Sequence, residues 1–168
     1  MKKCNIKISL FSVFLLSISC STMQYNINKN NKFTQKQLSY LLQKNGNAFY
    51  LSSSNATFST VWTYNASEIE MYRLAKGKVF KKETFPEKEF IQYDLQSFQD
   101  AGNELYKKCA VVLDGDCFGF RINVDGKMYR EDYPIDIDCL KKEIYQSAFL
   151  NKIVNDIKTH KMWEIAYQ

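Results

Sequence analysis

Residues 107–131, KKCAVVLDGDCFGFRINVDGKMYRE, contain two Asp-Gly pairs, at 114–115 and 125–126, each set between alternating apolar residues. An Asp-Gly pair in this setting is the strongest short signal for a β-hairpin, because both turn residues must accept a positive φ. The residue pairs that such two-residue turns place opposite each other are Val112 with Cys117, Cys109 with Phe120, and Ile122 with Tyr129. The stretch therefore predicts three antiparallel strands in a defined register.

This register distributes the side chains over two faces of the predicted sheet. The apolar face holds Cys109, Val111, Phe118, Phe120, Ile122 and Val124, and the other face holds Cys117, Gly119, Arg121 and Asn123. Cys109 then lies in the core, where a thiol behaves as a small hydrophobe. Cys117 is left available to Cys139, so we predict a Cys117–Cys139 disulfide, which stabilises by about 3 kcal/mol in the chain-entropy model. The alternative is that none of the cysteines pair.

Three further strands are predicted upstream. TFSTVWTY at 57–64 alternates in the manner of a strand, and IEMYRL at 69–74 and VFKKETF at 79–85 follow it. Turn residues separate the three segments, which is typical of an antiparallel meander. The sequence pattern of residues 87–104 fits a strand and a short helix equally well.

Aromatic residues are frequent in this chain, with 12 Phe, 11 Tyr and 2 Trp. Trp62 and Tyr64 are two residues apart on one strand face and form, with Tyr72, a candidate ligand face on which a sugar or peptide stacks. The alternative is that this face lies beneath the C-terminal helix and is core.

Helical spacing occurs near both ends of the domain. Thr34 to Gln37 resembles a capping box and predicts a short helix over 35–44. After Pro134 an apolar stripe predicts a longer helix that starts at Asp136 or Asp138 and divides near 147–151. The stripe consists of Leu140, Ile144, Ala148, Ile153 and Ile157.

Together these segments predict an α+β fold in a single domain, residues 34–168. Its antiparallel sheet of about six strands, in two meanders, packs between the short N-terminal and the longer C-terminal helix. A final edge strand is expected within 162–167.

The first 20 residues, MKKCNIKISLFSVFLLSISC, have a basic head, an apolar run and a small residue before Cys20. They resemble a bacterial lipoprotein leader of the signal-peptidase-II type. The resemblance implies that residues 1–19 are a signal peptide, that Cys20 carries diacylglycerol and palmitate-type acyl chains, and that the protein is attached to a membrane. An ordinary cleaved signal peptide is the alternative. The polar, Asn-rich residues 20–33 are expected to be a flexible tether.

The resemblance also indicates a location. Residues 21–26, STMQYN, hold neither the Asp that retains members of this family in the inner membrane nor an acidic cluster for surface export. We therefore expect a protein of the cell envelope that faces the periplasm, with the outer membrane favoured over the inner. Removal of the leader takes away three lysines, so the net charge falls from +5 to +2. A charge this small and dispersed gives no support to nucleic-acid binding.

The sequence offers little for catalysis. Asp114-Gly115-Asp116 begins like a calcium loop, but Phe118 occupies a ligand position, so we predict no metal and no cofactor. Cys109 with His160, the one histidine, is the single thiol–imidazole pair available. We therefore expect a non-catalytic module that binds an envelope protein. A carbohydrate- or small-ligand-binding module is the second interpretation, and a hydrolase is the third.

Overall fold

The computed structural model describes residues 6–55, 57–87, 95–111 and 115–164, except for the side chains of 6–23 and of Leu95. The elements are α1 (Ile6–Asn45), β1 (Asn47–Ser52), β2 (Phe58–Tyr64), β3 (Glu68–Ala75), β4 (Lys78–Pro86), α2 (Leu95–Cys109), β5 (Asp116–Val124), β6 (Lys127–Ile135), α3 (Ile137–Lys142) and α4 (Ala148–Thr159). The strands form one six-stranded antiparallel sheet in the order β4-β3-β2-β1-β5-β6. The α+β fold is therefore confirmed.

Helices cover both faces of the sheet, and a hydrophobic core lies on each face. Alternation along β1 shows the division, because Phe49 and Leu51 lie in the larger core while Ala48 and Tyr50 lie in the smaller one. The larger core is closed by α2, α3 and α4, and the smaller core by α1. The strands of this sheet are therefore buried on both sides at its centre.

The second hairpin forms as predicted. Ile122 lies opposite Tyr129, and the turn residues Asp125 and Gly126 both have positive φ, 51° and 78°. The division of side chains between faces is also confirmed, because Phe118, Phe120 and Ile122 belong to the larger core and Cys117 packs against the smaller one.

The first hairpin does not form, because the segment before it is helical. α2 ends at Cys109, and Phe120 lies opposite Phe49 and Glu131, so the predicted pairing of Cys109 with Phe120 is wrong. The ambiguous segment, residues 87–104, contains the first part of α2, whose residues Phe98, Ala101 and Leu105 are buried at helical spacing. Residues 112–114, and with them the partner predicted for Cys117, lie outside the described residues.

The structure also changes the disulfide. Cys109 bonds to Cys139, with a Cα–Cα distance of 5.6 Å, and Cys117 is free. The predicted Cys117–Cys139 disulfide is therefore wrong in this structure. The physical reason is that the Asp136 amide donates to the Cys109 carbonyl at 3.1 Å, which holds the start of α3 beside the end of α2.

The N-terminal helix is much longer than predicted. Residues 35–44 lie within α1, and so do residues 24–33, for which the sequence predicts a tether. Asn30 and Thr34 are buried against β2, where Thr34 Oγ1 lies 2.6 Å from Ser59 Oγ. No helix in the described ranges is long and apolar enough to cross a membrane.

The C-terminal part contains two helices, as predicted, but they are separated at residues 143–147 and not at 147–151, so Ile144 of the predicted stripe lies between them and is 83% exposed. Asp136 caps α3 by accepting from the amides of Asp138 and Cys139, and Ser147 caps α4 by accepting from Leu150. The final edge strand is not formed over residues 162–164, which are turns and an unstructured position, and residues 165–167 lie outside the described part.

Candidate functional site

A cleft of about 200 Å³ opens at one end of the sheet, where β1 ends and where β2 and β5 begin. We call this end of the sheet the Ser52 end and the cleft the end cleft. Its walls combine hydroxyl groups, one carboxylate and apolar side chains. The lining residues are Leu51, Ser52, Ser53, Phe58, Ser59, Thr60, Asp116, Ile137, Met162 and Trp163.

Thr60 supplies a buried hydroxyl group to this cleft. It lies in β2 between Leu51 of β1 and Arg73 of β3, and its side chain faces the larger core. The residue is only 7% exposed. Among the hydrogen bonds of the described residues, none involves the Thr60 hydroxyl. Because this hydroxyl lines an open cleft, water or a ligand group can serve as its hydrogen-bond partner.

Asp116 supplies the carboxylate, from the first position of β5. Its Oδ1 accepts a hydrogen bond from the Ser54 amide at 2.9 Å, whereas no described donor reaches its Oδ2. Burial raises the pKa of Asp116; the Ser54 amide opposes this rise, and the nearby Asp136 and Asp138 reinforce it. Asp116 Oδ2 is thus a hydrogen-bond acceptor that is available to a donor group of a ligand.

The aromatic wall is Trp163, which lies in the turn after α4. Lys141 Nζ lies 4.6 Å from the centroid of the Trp163 ring. Arg73 fixes this turn in place, since its Nη2 donates to the Lys161 carbonyl at 3.1 Å and its Nη1 to the Glu164 carbonyl. The wall is therefore held by a buried guanidinium group and not by local helix geometry.

These groups together suit a small polar ligand with one apolar face. A hydroxyl and a carboxylate can bind ligand hydroxyl groups, while Trp163 and Phe58 offer apolar surface. Within the described ranges, no group of three or more His, Cys, Asp or Glu residues is arranged to hold a metal ion. The cleft thus has the features of a binding site.

The aromatic ligand face predicted from the sequence does not form. Trp62 and Tyr64 are fully buried in the larger core, where Trp62 Nε1 donates to the Tyr64 hydroxyl at 3.3 Å. Tyr72 lies on the opposite face, because it pairs with Val61 and not with Trp62. The alternative interpretation of that face as core is the one that the structure shows.

The thiol–imidazole pair is not formed either. Cys109 is consumed by its disulfide, and the His160 ring stacks on Phe85 at a centroid distance of 4.0 Å. The free thiol of Cys117 forms a hydrogen bond with the Tyr50 hydroxyl, with 3.0 Å between sulfur and oxygen. Burial raises the pKa of this thiol. A raised pKa disfavours the reactive thiolate.

The predicted lipidation residue, Cys20, belongs to the part of α1 whose side chains lie outside the described residues. The sequence does not single out the described cleft residues. Thr60 lies within an ordinary strand pattern, and Trp163 is in a segment predicted to be a strand. Asp116 is in an Asp-Gly-Asp sequence, whose pattern indicates only a turn.

Comparisons with protein-family models, with curated proteins and with solved structures find no match to this chain.

Proposed function

We propose that this protein is a lipid-anchored binding module of the bacterial cell envelope, and that it binds a small polyhydroxylated ligand of the carbohydrate class in the end cleft. The observation that carries the ligand proposal is the Thr60 hydroxyl, buried and unpaired among the described residues. A ligand hydroxyl that enters the cleft can replace water as the hydrogen-bond partner of Thr60. The flat surface of a partner protein would not reach the Thr60 hydroxyl inside the cleft. The cleft therefore favours a small ligand over an envelope protein.

The size of the cleft limits the ligand. Drug-sized ligands occupy pockets of about 300–1,000 Å³, and the end cleft measures about 200 Å³. We therefore expect a ligand with one ring inside the cleft, with hydroxyl groups directed to Thr60 and Asp116 and its apolar face against Trp163. Sugar rings stack on indole in this way because their axial C–H groups form an apolar face.

Substitution of Thr60 by valine tests the proposal, because valine has nearly the same shape but no hydroxyl. Hexoses and N-acetylhexosamines, as mono- and disaccharides, are titrated while tryptophan fluorescence and heat are recorded. A ligand in the cleft should change the fluorescence of Trp163, whereas Trp62 is fully buried and should contribute a constant signal. For a saccharide that binds, we expect Thr60→Val to weaken binding about tenfold and to leave the stability unchanged or higher.

Thr63→Val is not a suitable control, since the Thr63 hydroxyl donates to the Asn47 carbonyl at 2.7 Å. Thr84→Val is suitable, because Thr84 is an exposed residue of β4 outside the cleft. Equal affinity of wild type and Thr60→Val, or no binding of any saccharide in this set, contradicts the ligand proposal.

The anchor is proposed from the leader sequence alone, and it has its own test. Cells that express the chain are labelled with radioactive palmitate. We expect Cys20→Ala to abolish the label and Cys117→Ser to retain it, with the labelled protein in the outer-membrane fraction. Unchanged labelling of Cys20→Ala excludes lipidation at this residue, and it leaves the saccharide titration unaffected.

A further inference from the structure

We propose that one corner of the domain binds the surface of an anionic lipid bilayer. This corner, the basic surface, consists of Lys29, Lys32, Lys76, Lys78, Val79 and Phe80. It lies at the Ser52 end of the sheet, where α1 passes the turn between β3 and β4. The proposal is independent of the end cleft, and it rests on the proposed anchor only for the orientation of the domain.

The helix and the turn form one continuous surface. The Gly77 amide donates to Asn30 Oδ1 at 3.4 Å. Gly77 has a φ of +70°, and a Cβ at this position would lie 2.7 Å from Lys29 Cγ, so only glycine lets the Lys29 side chain lie across the turn. The Lys29 side chain of α1 therefore lies against the turn that carries Lys76 and leads into Lys78 of β4, and Lys32 is three residues further along the exposed side of the helix.

The charges of the basic surface are available for a partner. Lys29, Lys32, Lys76 and Lys78 are exposed, and no carboxylate of the described residues forms an ion pair with them. The next lysines along β4 differ, since Lys81 pairs with Glu83 and Lys82 with Glu70.

Most acidic residues of the same end lie away from the basic surface; Asp116 begins β5, and Glu164, beside Arg73 of β3, is paired with Lys161. Asp136 and Asp138 follow β6, which is the opposite edge strand of the sheet, and Asp138 is paired with Lys141. The charge at this end of the molecule is thus segregated, and the basic half is the half next to α1.

Exposed apolar side chains lie beside these lysines. Phe80 is 45% exposed and Val79 is 41% exposed. The register of β4 against β3 shifts between Arg73 and Leu74, which leaves Phe80 without an opposite residue. A bulge of this kind redirects a side chain away from the sheet. Lysines around an exposed aromatic ring are typical of surfaces that enter the headgroup region of a membrane.

The position of the basic surface along the chain favours a bilayer over an acidic protein. Ten residues separate Cys20 from Asn30, which is about 15 Å of helix. If Cys20 is lipidated, the basic surface is on the side of the domain nearest to the membrane. Each lysine near an anionic bilayer contributes about 1 kcal/mol, so four unpaired lysines are enough to orient a tethered domain.

The test uses the full chain, made by cell-free synthesis so that Cys20 carries no lipid. Vesicles of phosphatidylcholine, alone or mixed with phosphatidylglycerol, are added, and partitioning and hydrogen exchange are measured. We expect the anionic vesicles to protect the amides of residues 76–82 and the neutral vesicles not to do so. We expect Lys76→Glu with Lys78→Glu to lower partitioning into anionic vesicles about tenfold or more and to remove the protection.

The matched control reverses two charges outside the basic surface, Lys127→Glu with Lys158→Glu, both exposed and without an ion pair among the described residues, and should leave both readouts as in the wild type. Circular dichroism checks that each variant is folded. Equal protection with both vesicle types, or equal losses in the two double variants, overturns the proposal. Absence of protection with any vesicle also overturns it and leaves an acidic protein as the partner to test. Because the protein carries no lipid and no saccharide is present, failure here does not depend on the anchor or on the end cleft.

Discussion

Glu70 is a charged residue in the smaller core, only 2% exposed. Its carboxylate accepts from Lys44 and Lys82, each at 2.5 Å, and from the Tyr72 hydroxyl at 2.6 Å. A buried carboxylate is tolerated only when its hydrogen bonds are satisfied, as they are here. Since Lys44 is in α1 and Lys82 in β4, Glu70 joins the helix to the edge of the sheet.

We predict that Glu70 makes the stability depend on pH in the acid range. Burial raises its pKa, but the hydrogen bonds from Lys44, Lys82 and Tyr72 outweigh this effect and lower the pKa from 4.5 to about 2. A lowered folded-state pKa stabilises the fold above the unfolded-state value. That stability is therefore present above pH 4.5 and is lost as the pH falls towards 2.

Glu70→Gln should accordingly lower the free energy of unfolding by about 1–3 kcal/mol at pH 7, because both lysines remain partly hydrated. It should also flatten the pH dependence of stability between the two pKa values. Urea unfolding at a series of pH values measures both effects. Glu143→Gln, at a more exposed position, is the control. An unchanged pH profile in Glu70→Gln would show that other carboxylates cause the acid sensitivity.

The disulfide is the second residue-level prediction. Cys109 and Cys139 are 30 positions apart, so their bond closes a long loop. We expect Cys139→Ser to lower the free energy of unfolding by about 3–4 kcal/mol in the chain-entropy model, and reductant to have the same effect on the wild type. Peptide mapping without reduction should recover Cys109 linked to Cys139. Recovery of Cys117 linked to Cys139 would instead restore the pairing that the sequence predicts.

At the scale of elements, the sequence predicts strands best where polar and apolar residues alternate along the segment. β2, β3 and β5 follow this pattern, and the Asp125-Gly126 turn identifies the β5–β6 hairpin because its two residues need a positive φ. The sequence does not predict β1, because NAFYLS is short and its central residues Ala48–Leu51 include no charged or hydroxyl side chain apart from the Tyr50 phenol, so no alternation of apolar and polar residues is visible. The strand predicted around Cys109 is wrong because the apolar neighbours of this residue fit either period.

α1 is a helix that the sequence pattern predicts only in part. Residues 24–33 have no apolar stripe, because polar side chains such as Asn30 and Thr34 make the contacts to β2. Contacts of this kind depend on the position of Ser59, which is far away in sequence. A sequence pattern can therefore predict the Leu38–Leu42 stripe but not the polar docking that precedes it.

We predict that the docking of α1 depends chiefly on its leucines. Leu41 is fully buried in the smaller core, whereas the adjacent Tyr40 is 52% exposed. Leu41→Ala should lower the free energy of unfolding by about 2–5 kcal/mol, because it removes apolar contacts and leaves a cavity. Tyr40→Ala should change it by less than about 0.5 kcal/mol. Similar losses in both variants, measured by urea unfolding, would show that α1 packs differently.

At the scale of the whole molecule, the end cleft could not be predicted because its residues come from distant segments. Thr60, Asp116 and Trp163 are brought together only when β2, β5 and the turn after α4 meet at the Ser52 end. Two charged groups elsewhere in the interior are satisfied: Glu70 by two lysines, and Asp156 by Lys152 and the Tyr64 hydroxyl, both at 2.6 Å. Thr60 and Asp116 differ, since each retains unused hydrogen-bonding capacity among the described contacts.

This contrast predicts opposite effects of substitution at the two kinds of site. Asp116→Asn keeps an Oδ1 that can accept from the Ser54 amide, and it removes a charge whose burial is unfavourable. We therefore expect a change in stability of no more than about 1 kcal/mol, together with weaker binding of the saccharide that binds in the fluorescence titration. Because burial raises the pKa of Asp116, wild-type affinity should also fall as the pH is lowered through that pKa, and Asp116→Asn should not show this fall. Loss of stability in parallel with loss of binding would instead make Asp116 a structural residue of the β5 start, of the same kind as Glu70.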